Sequence, residues 1–356
     1  MTDPTSPVTG GVDTHKDTHV AAVLNPLGVV LGTSEFPATP AGYRRLLAWM
    51  RDFGQLTEVG VEGTGAWGAG LARHLTGQDV RVVEVQRPNR QYRRRHGKSD
   101  TADAIGAARA VQSGEASGAP KSADGAVEAI RMLSVARRSA MKARTQAANQ
   151  IHAVVTTAPD QLRSDLTGLD TKGLVARCAR FHTTSAMTPL GAARRTLRML
   201  ARRWQSLTAE INEVDVELDN LTTHVAPSLR ELPSIGTRNA AALLLAAGDN
   251  PDRLERERSF AALCGTSPID ASSGRQRRHR LNRGGDRHAN AALYMIVVSR
   301  LRWHQPTRDY MQRRLAEGRT KKEIIRCLKR YVARQAHHAI LHDLTQTKQR
   351  PPTFAA

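Results

Sequence analysis

Apolar positions follow two different rhythms along this chain. Over residues 10–85 they come in short blocks broken by turn residues. Gly11–Val12–Asp13 begins a strand, and Thr18–Leu24 continues as an apolar run. Asn25-Pro26-Leu27-Gly28 is turn chemistry, and Val29–Phe36 is a third strand. Thr39-Pro40 opens a helix whose Leu46, Leu47 and Met50 share a face. Glu58–Glu62 reads as a strand entering Gly63-Thr64-Gly65, Ala66–Leu75 as a helix, and Arg81–Val85 as a strand. An antiparallel opening followed by crossovers predicts a mixed sheet with helices on its faces.

The second rhythm is helical. Residues 125–157 are rich in Ala and Arg without proline, and residues 158–189 are less regular. Leu197, Leu200, Trp204, Leu207, Ile211, Val214, Leu218, Leu221 and Val225 then alternate spacings of three and four. That is a heptad seam, and it predicts a coiled-coil segment or burial in a bundle. Its partner is either residues 125–157 or another protomer. Leu232-Pro233-Ser234-Ile235-Gly236 before an Ala-rich helix resembles the turn of helix-hairpin-helix DNA-binding modules; a simple helix cap reads the same way. Residues 259–265 are apolar, 266–290 form a polar loop, and 291–303 and 308–343 read as helices. The expected organisation is an α/β domain over 1–115, a helical coiled-coil region over 116–226, a mostly α-helical domain over 227–345, and a loose tail over 346–356. The Ser/Gly/Ala/Pro-rich stretch 113–125 reads as a linker.

Charge narrows the function. With 53 Lys+Arg against 33 Asp+Glu, the net charge is +20, which calls for a polyanionic partner, foremost nucleic acid. Arginine supplies 44 of the basic residues, which suits bidentate phosphate contacts. One basic run holds Arg87, Arg90, Arg93, Arg94, Arg95 and Lys98. Another holds Arg275, Arg277, Arg278, Arg280 and Arg283. Aromatics make up only 4%, which disfavours a platform for stacking single-stranded bases. No apolar run is long enough to span a bilayer, so no membrane partner is expected. The start of the chain lacks a signal-peptide pattern. Cys178, Cys264 and Cys327 lie far apart and suggest neither a disulfide framework nor a zinc site. The expected compartment is the cytoplasm.

Four carboxylates stand out as candidate chemistry: Asp13 inside the first strand, Glu62 ending a later one, and Asp100 with Asp103 on one helix face. An acid inside an apolar strand is costly unless it faces water, a partner or a metal. Strand acids gathered with a helical acid pair can hold two Mg²⁺ ions, which favour oxygen ligands and clamp the oxygens of phosphoryl transfer. Capping is the plainer role for Asp100 or Ser99. Ser272-Ser273-Gly274, among arginines, is a second candidate, although two serines before glycine are commonly just a turn. Gly97-Lys98-Ser99 lacks the earlier glycine of a P-loop. His15 and His19 are read as solvated, and His337 and His338 as pointing to different sides of a helix.

Three blocks, Gly11-Val12-Asp13-Thr14-His15-Lys16-Asp17, Val61-Glu62-Gly63-Thr64-Gly65 and Lys98-Ser99-Asp100-Thr101-Ala102-Asp103-Ala104, resemble those of the DEDD transposases of the insertion-sequence family IS-one-ten. The stretch from Leu232-Pro233-Ser234-Ile235-Gly236 through Phe260–Gly265 to Ser272-Ser273-Gly274 resembles that family's C-terminal transposase domain. The resemblance covers nearly the whole chain. It implies an N-terminal RNase-H-like fold, similar to a Holliday-junction resolvase, with Asp13, Glu62, Asp100 and Asp103 holding Mg²⁺. It implies a serine nucleophile at Ser273, with Ser272 adjacent, that becomes covalently linked to DNA. It further implies a noncoding guide ("bridge") RNA that pairs with donor and target DNA, and a homo-oligomer, a dimer or an active tetramer. One departure stands out: where the family usually has a basic residue before Ala-Leu, Asn290 precedes Ala291-Ala292-Leu293, with His288 nearby. The expected function is therefore an insertion-sequence transposase. The alternatives are a metal-dependent, resolvase-like nuclease without covalent serine chemistry, and a nucleic-acid-binding protein without catalysis.

Overall fold

The computed structural model describes residues 5–85, 99–182, 186–275 and 279–349. The chain forms two compact units. One holds residues 1–124 together with 248–255, and the other holds 125–247 and 256–356.

The first unit is built on a five-stranded sheet. Its strands are β1 (Pro7–Thr14), β2 (Thr18–Leu24), β3 (Val30–Pro37), β4 (Gln55–Glu62) and β5 (Arg81–Val85), in the order β3-β2-β1-β4-β5. β1 runs antiparallel to β2, and β2 antiparallel to β3. β1–β4 and β4–β5 are parallel, so the mixed sheet expected from the sequence is present. Helix α1 (Pro40–Arg51) starts where Thr39 accepts a hydrogen bond from the Gly42 N–H at 3.1 Å, with Pro40 in its first turn. α1 and α2 (Ala69–Thr76) bury Leu46, Leu47, Met50, Leu71 and Leu75 against Val12, Val59 and Val61 of one sheet face. Helix α3 (Asp100–Gln112) packs Ala107 and Val111 with Val83 and Val85.

The stretch read as a linker is instead bound to this unit. The Glu84 N–H donates to the Gly118 carbonyl at 2.7 Å. Arg253, in the short 3-10 turn Pro251–Leu254, reaches the Glu84 carboxylate at 3.2 Å and the Ala119 carbonyl at 2.9 Å. Asn250 donates to the Pro120 carbonyl at 3.0 Å. Extended chain with few apolar side chains stays ordered here because its backbone groups find partners.

The second unit is helical. Helices α4 (Ala126–Thr157) and α7 (Pro189–Val225) form an antiparallel pair, in which Arg137 pairs with Asp215 and the Arg144 guanidinium stacks 5.4 Å over the Trp204 ring. The heptad seam of α7 is therefore satisfied within the chain, and none of its nine residues is exposed. The less regular stretch holds two short helices, α5 (Asp160–Leu166) and α6 (Thr171–Ala179). They seal the end of the pair by burying Leu162, Leu166, Leu174 and Cys178 with Ile151 and Leu197.

Helices α8 (Pro227–Glu231), α9 (Thr237–Ala247), α10 (Glu257–Leu263), α11 (Arg287–Trp303), α12 (Gln305–Ala316) and α13 (Lys321–Gln349) complete the unit. The segment read as one helix over 308–343 is two, because the chain turns at Gly318 with φ +77°. The polar loop is not wholly irregular: β6 (Ile269–Asp270) pairs with β7 (His279–Arg280). The final helix extends to Gln349, four residues into the expected tail. No described helix is long and apolar enough to cross a membrane.

Candidate active site

Asp13 and Asp100 meet where two parallel strands end beneath a helix start, with Asp103 close enough to act on Asp13 and Glu62 on the neighbouring strand. Val12 of β1 is in register with Val61 of β4, so Asp13, the last residue but one of β1, and Glu62, the last of β4, stand side by side on neighbouring strands. Side chains alternate along a strand. Val12 and Val61 enter the α1/α2 core, which sends Asp13 and Glu62 to the α3 face. Thr14 ties the two strand ends together by donating from Oγ1 to the Glu62 carbonyl at 2.8 Å.

Two glycines bring α3 down onto that face. A Cβ on Gly11 would lie 2.3 Å from the Ala104 carbonyl and from the Ala108 nitrogen, and one on Gly60 would lie 2.6 Å from the Ala107 carbonyl. Each glycine stands two residues before a strand acid. The close approach delivers the first turn of α3 to the acids. Ser99 caps that turn, accepting from the Ala102 N–H at 3.2 Å. Asp100 is thus the first helical residue, not the cap. Asp103 is buried and Asp100 is exposed; both gain from the positive end of the helix dipole.

Asp13 is buried. Burial raises its carboxyl above the ordinary 3.8; nearby His15 opposes this, and Asp103 and Asp100 add to it. His15, expected to be solvated, joins the cluster. Its Nε2 lies 3.2 Å from Asp13 Oδ2 and 3.3 Å from Asp100 Oδ1. One ligand atom from each of Asp13, His15 and Asp100 falls within 4.8 Å of the others. Carboxylate oxygens crowded around a partly desolvated acid, with an imidazole alongside, are donors that a divalent cation accepts. His19 is also not solvated: it is fully buried and stacks on Tyr43 of α1, with ring centroids 5.6 Å apart and planes inclined by 8°.

The second unit carries the serine loop. The two-residue strands β6 and β7 pair Ile269 with Arg280 and Asp270 with His279, leaving Ser272, Ser273 and Gly274 at the tip. The Ser272 N–H donates to Asp270 Oδ1 at 2.9 Å, and its hydroxyl donates to the same oxygen. These bonds hold the Asp270 carboxyl below its usual range. Ser273 follows, exposed, as are Arg275, Arg280 and Arg283. Of the other basic candidates, Arg87, Arg90, Arg93, Arg94, Arg95, Lys98, Arg277 and Arg278 lie outside the described residues.

Both ends of the serine loop are fastened to one neck. The Asp286 N–H donates to the Leu263 carbonyl at 2.6 Å, and Asp286 caps α11 by accepting from the His288 and Ala289 N–H groups at 2.7 and 2.9 Å. The Asn290 amide donates to the carbonyls of Cys264 and Gly265 at 2.8 and 3.1 Å. Its oxygen accepts from the Lys329 ammonium on α13. The cation beside Asn290 thus comes from a helix 39 residues further along the chain. Burial lowers the Lys329 ammonium from its usual 10.5, and burial pushes the adjoining Cys264 thiol up to about 12.

Two family models match the chain. One, described as a transposase with the DEDD signature of IS110, matches residues 10–158, and one described as the transposase IS116/IS110/IS902 family matches residues 226–312. The mini-circle IS117 protein of Streptomyces coelicolor is 25% identical over 323 residues, covering 75% of this chain and 77% of its own length. The 43.6 kDa protein of insertion element IS110 from the same organism is 29% identical over 118 residues, 33% of this chain and 27% of that protein. The first family model spans the whole acid cluster, and the second spans the serine loop with Asp286 and Asn290 of its neck. The chain is a member of the IS110 family of insertion-sequence transposases, DNA-modifying enzymes of recombination.

Proposed function

We propose that this transposase cuts and exchanges DNA strands by phosphoryl transfer, using a Mg²⁺-binding tetrad of Asp13, Glu62, Asp100 and Asp103 together with Ser273 as nucleophile. The observation that carries the reading is the convergence of Asp13, His15 and Asp100 at the ends of parallel strands, beside the buried Asp103. The strand order β3-β2-β1-β4-β5, with β1 the pivot between antiparallel and parallel halves, supports an RNase-H-like description of this unit.

A bound divalent cation would supply positive charge to the attacking and leaving oxygens of the phosphodiester. The protein's own part is to hold the ligands. Asp13 and Glu62 are fixed by strand register, and Asp100 and Asp103 by the capped turn of α3. His15 bridges Asp13 and Asp100. Ser273 forms the covalent link: its Oγ bonds to phosphorus as a sugar oxygen leaves and takes up a proton. Ser272 serves as a brace through Asp270, which favours Ser273 as the reacting hydroxyl. Arg275, Arg280 and Arg283, exposed around the serine, stabilise developing negative charge on phosphate, and Arg277 and Arg278 of the same run are assigned the same role by their charge. Arg87, Arg90, Arg93, Arg94, Arg95 and Lys98 are assigned to nucleic-acid binding in this reading by their charge alone.

A noncoding guide RNA selects donor and target in this reading, and the active form is a homo-oligomer. A resolvase-like nuclease needing only the acids is the second reading, favoured by the placement of all four acids within one compact unit. The test is strand exchange on an element-bearing plasmid. Asp13→Asn, Glu62→Gln and Asp103→Asn are each expected to abolish it while nucleic-acid binding persists. Exchange retained in any of them would remove that residue from the proposed centre. Cleavage retained in Ser273→Ala would favour the metal-only nuclease.

A further inference from the structure

The face of α7 turned away from α4 carries a second stripe. Every member but Arg195, which lies one turn before the first of them, stands two residues beyond a seam position, about 200° around the helix. The stripe is Arg195, Met199, Arg202, Ser206, Ala209, Glu213, Val216 and Asn220, spaced alternately by four and three, and all eight are exposed. Met199 and Val216 are 66% and 61% exposed, large apolar side chains in water on an otherwise polar face.

The charge along this helix is segregated. Residues 189–209 hold Arg194, Arg195, Arg198, Arg202 and Arg203 and no acid. Residues 210–225 hold Glu210, Glu213, Asp215, Glu217 and Asp219 and no Lys or Arg. A helix with opposite charge at its two ends is complementary to its own reverse. A two-fold axis midway between Ser206 and Ala209 pairs Met199 with Val216, Arg202 with Glu213, Arg195 with Asn220, and Ser206 with Ala209 of a second copy. It also brings Arg198, at the edge of the stripe, opposite Glu217. Apolar meets apolar, cation meets anion, and the two small residues meet at the centre, where backbones approach most closely. One register satisfies every layer, as an isologous contact requires, and the four-three spacing is that of a helix seam.

We propose that α7 pairs antiparallel with α7 of a second copy of this chain through Met199, Arg202, Ser206, Ala209, Glu213 and Val216. The occupant is another copy because the match is to the helix itself: a nucleic acid would suit the arginine half and be repelled by the glutamate half. This deepens the homo-oligomer part of the reading above and rests on it. It is independent of the acids and of Ser273. The seam is narrow and half polar, so the dimer weakens with salt.

The test is the mass of the full-length protein in solution, by light scattering or sedimentation, at low and high salt. Wild type is expected to be oligomeric at low salt. R202E and E213R should each weaken association by about tenfold or more, because the two-fold axis counts every reversed contact twice. The double variant R202E/E213R should regain it, and so should a mixture of the two single variants, whose charges are again opposite across the axis. In a C327S background, M199C/V216C should give a disulfide-linked dimer. Those positions stand about 25 Å apart along one helix, too far to bridge within a chain. Wild type monomeric at every salt would overturn the oligomer itself. An oligomer indifferent to R202E and E213R, a double variant that stays weakened, or an unlinked cysteine pair would overturn this face. R202E lowering nucleic-acid affinity with the mass unchanged would assign the arginines to nucleic acid instead.

Discussion

Gly11 and Ala104 meet so closely that a Cβ on the glycine would stand 2.3 Å from the Ala104 carbonyl oxygen. That contact joins the strand bearing Asp13 to the helix bearing Asp100 and Asp103. Gly11→Ala must push α3 off the sheet. The expected loss is about 1–3 kcal/mol or more of unfolding free energy, the usual cost of overpacking, together with loss of metal binding. Gly65→Ala, whose Cβ would meet nothing within 4 Å, is the control and should change stability by less than about 0.5 kcal/mol. Urea unfolding of both variants checks this, and equal losses would mean the contact does not position the helix.

Much of this centre is legible in the sequence. Asp13 and Glu62 stand out because an acid in an apolar strand needs a reason, and α3 betrays itself by Ser99 and an i, i+3 acid pair. What periodicity does not carry is the distance between segments. Gly11 and Gly60, each two residues before a strand acid, are the signal that α3 lies flat on the sheet, but a glycine alone does not say what approaches it. His15 reads as solvated because it falls on a strand–turn. Its actual partners are acids, one of them 85 residues away in the chain. Residues 113–125 have the composition of a linker, and composition is silent about hydrogen bonds to Glu84, Asn250 and Arg253. The Lys329–Asn290 contact joins two helices whose patterns reveal only which faces are apolar.

The raised carboxyl of Asp13 has a consequence for pH. In the metal-free protein the folded state binds this proton more tightly than the unfolded chain does. The contribution is therefore fully present below the unfolded value near 3.8 and is lost as pH rises through the elevated folded value. Asp13→Asn should thus stabilise the metal-free protein at neutral pH, and the gain should vanish in acid. Mg²⁺ at one hundred times its dissociation constant should add about 2.7 kcal/mol to wild type and much less to the variant. Melting curves with and without Mg²⁺ at two pH values check both statements; a variant less stable than wild type at neutral pH would contradict the first.

The neck of the serine loop offers a ranking. Asn290→Ala leaves the carbonyls of Cys264 and Gly265 and the Lys329 ammonium without their partner. It should cost about 1–3 kcal/mol per buried group left unsatisfied and open residues 266–286 to proteolysis. Lys329→Met removes a cation that burial already disfavours and leaves the amide bonds to the loop in place, so its loss should be smaller. Limited proteolysis with mass mapping, alongside unfolding, gives the order. A larger effect from Lys329→Met would make the cation, not the amide, the brace.

Joint use of acids and serine is the centre of the account, and the chemical fate of Ser273 tests it most directly. The protein would be recovered under denaturing conditions from cells carrying the element with its flanking DNA, the DNA digested, and the peptide spanning Ser273 weighed. A nucleotide adduct on Ser273 in wild type is predicted, absent from Ser273→Ala and from Asp13→Asn. DNA cut in a Mg²⁺-dependent way with no adduct on that peptide would contradict the account and leave the four acids as the whole catalytic apparatus.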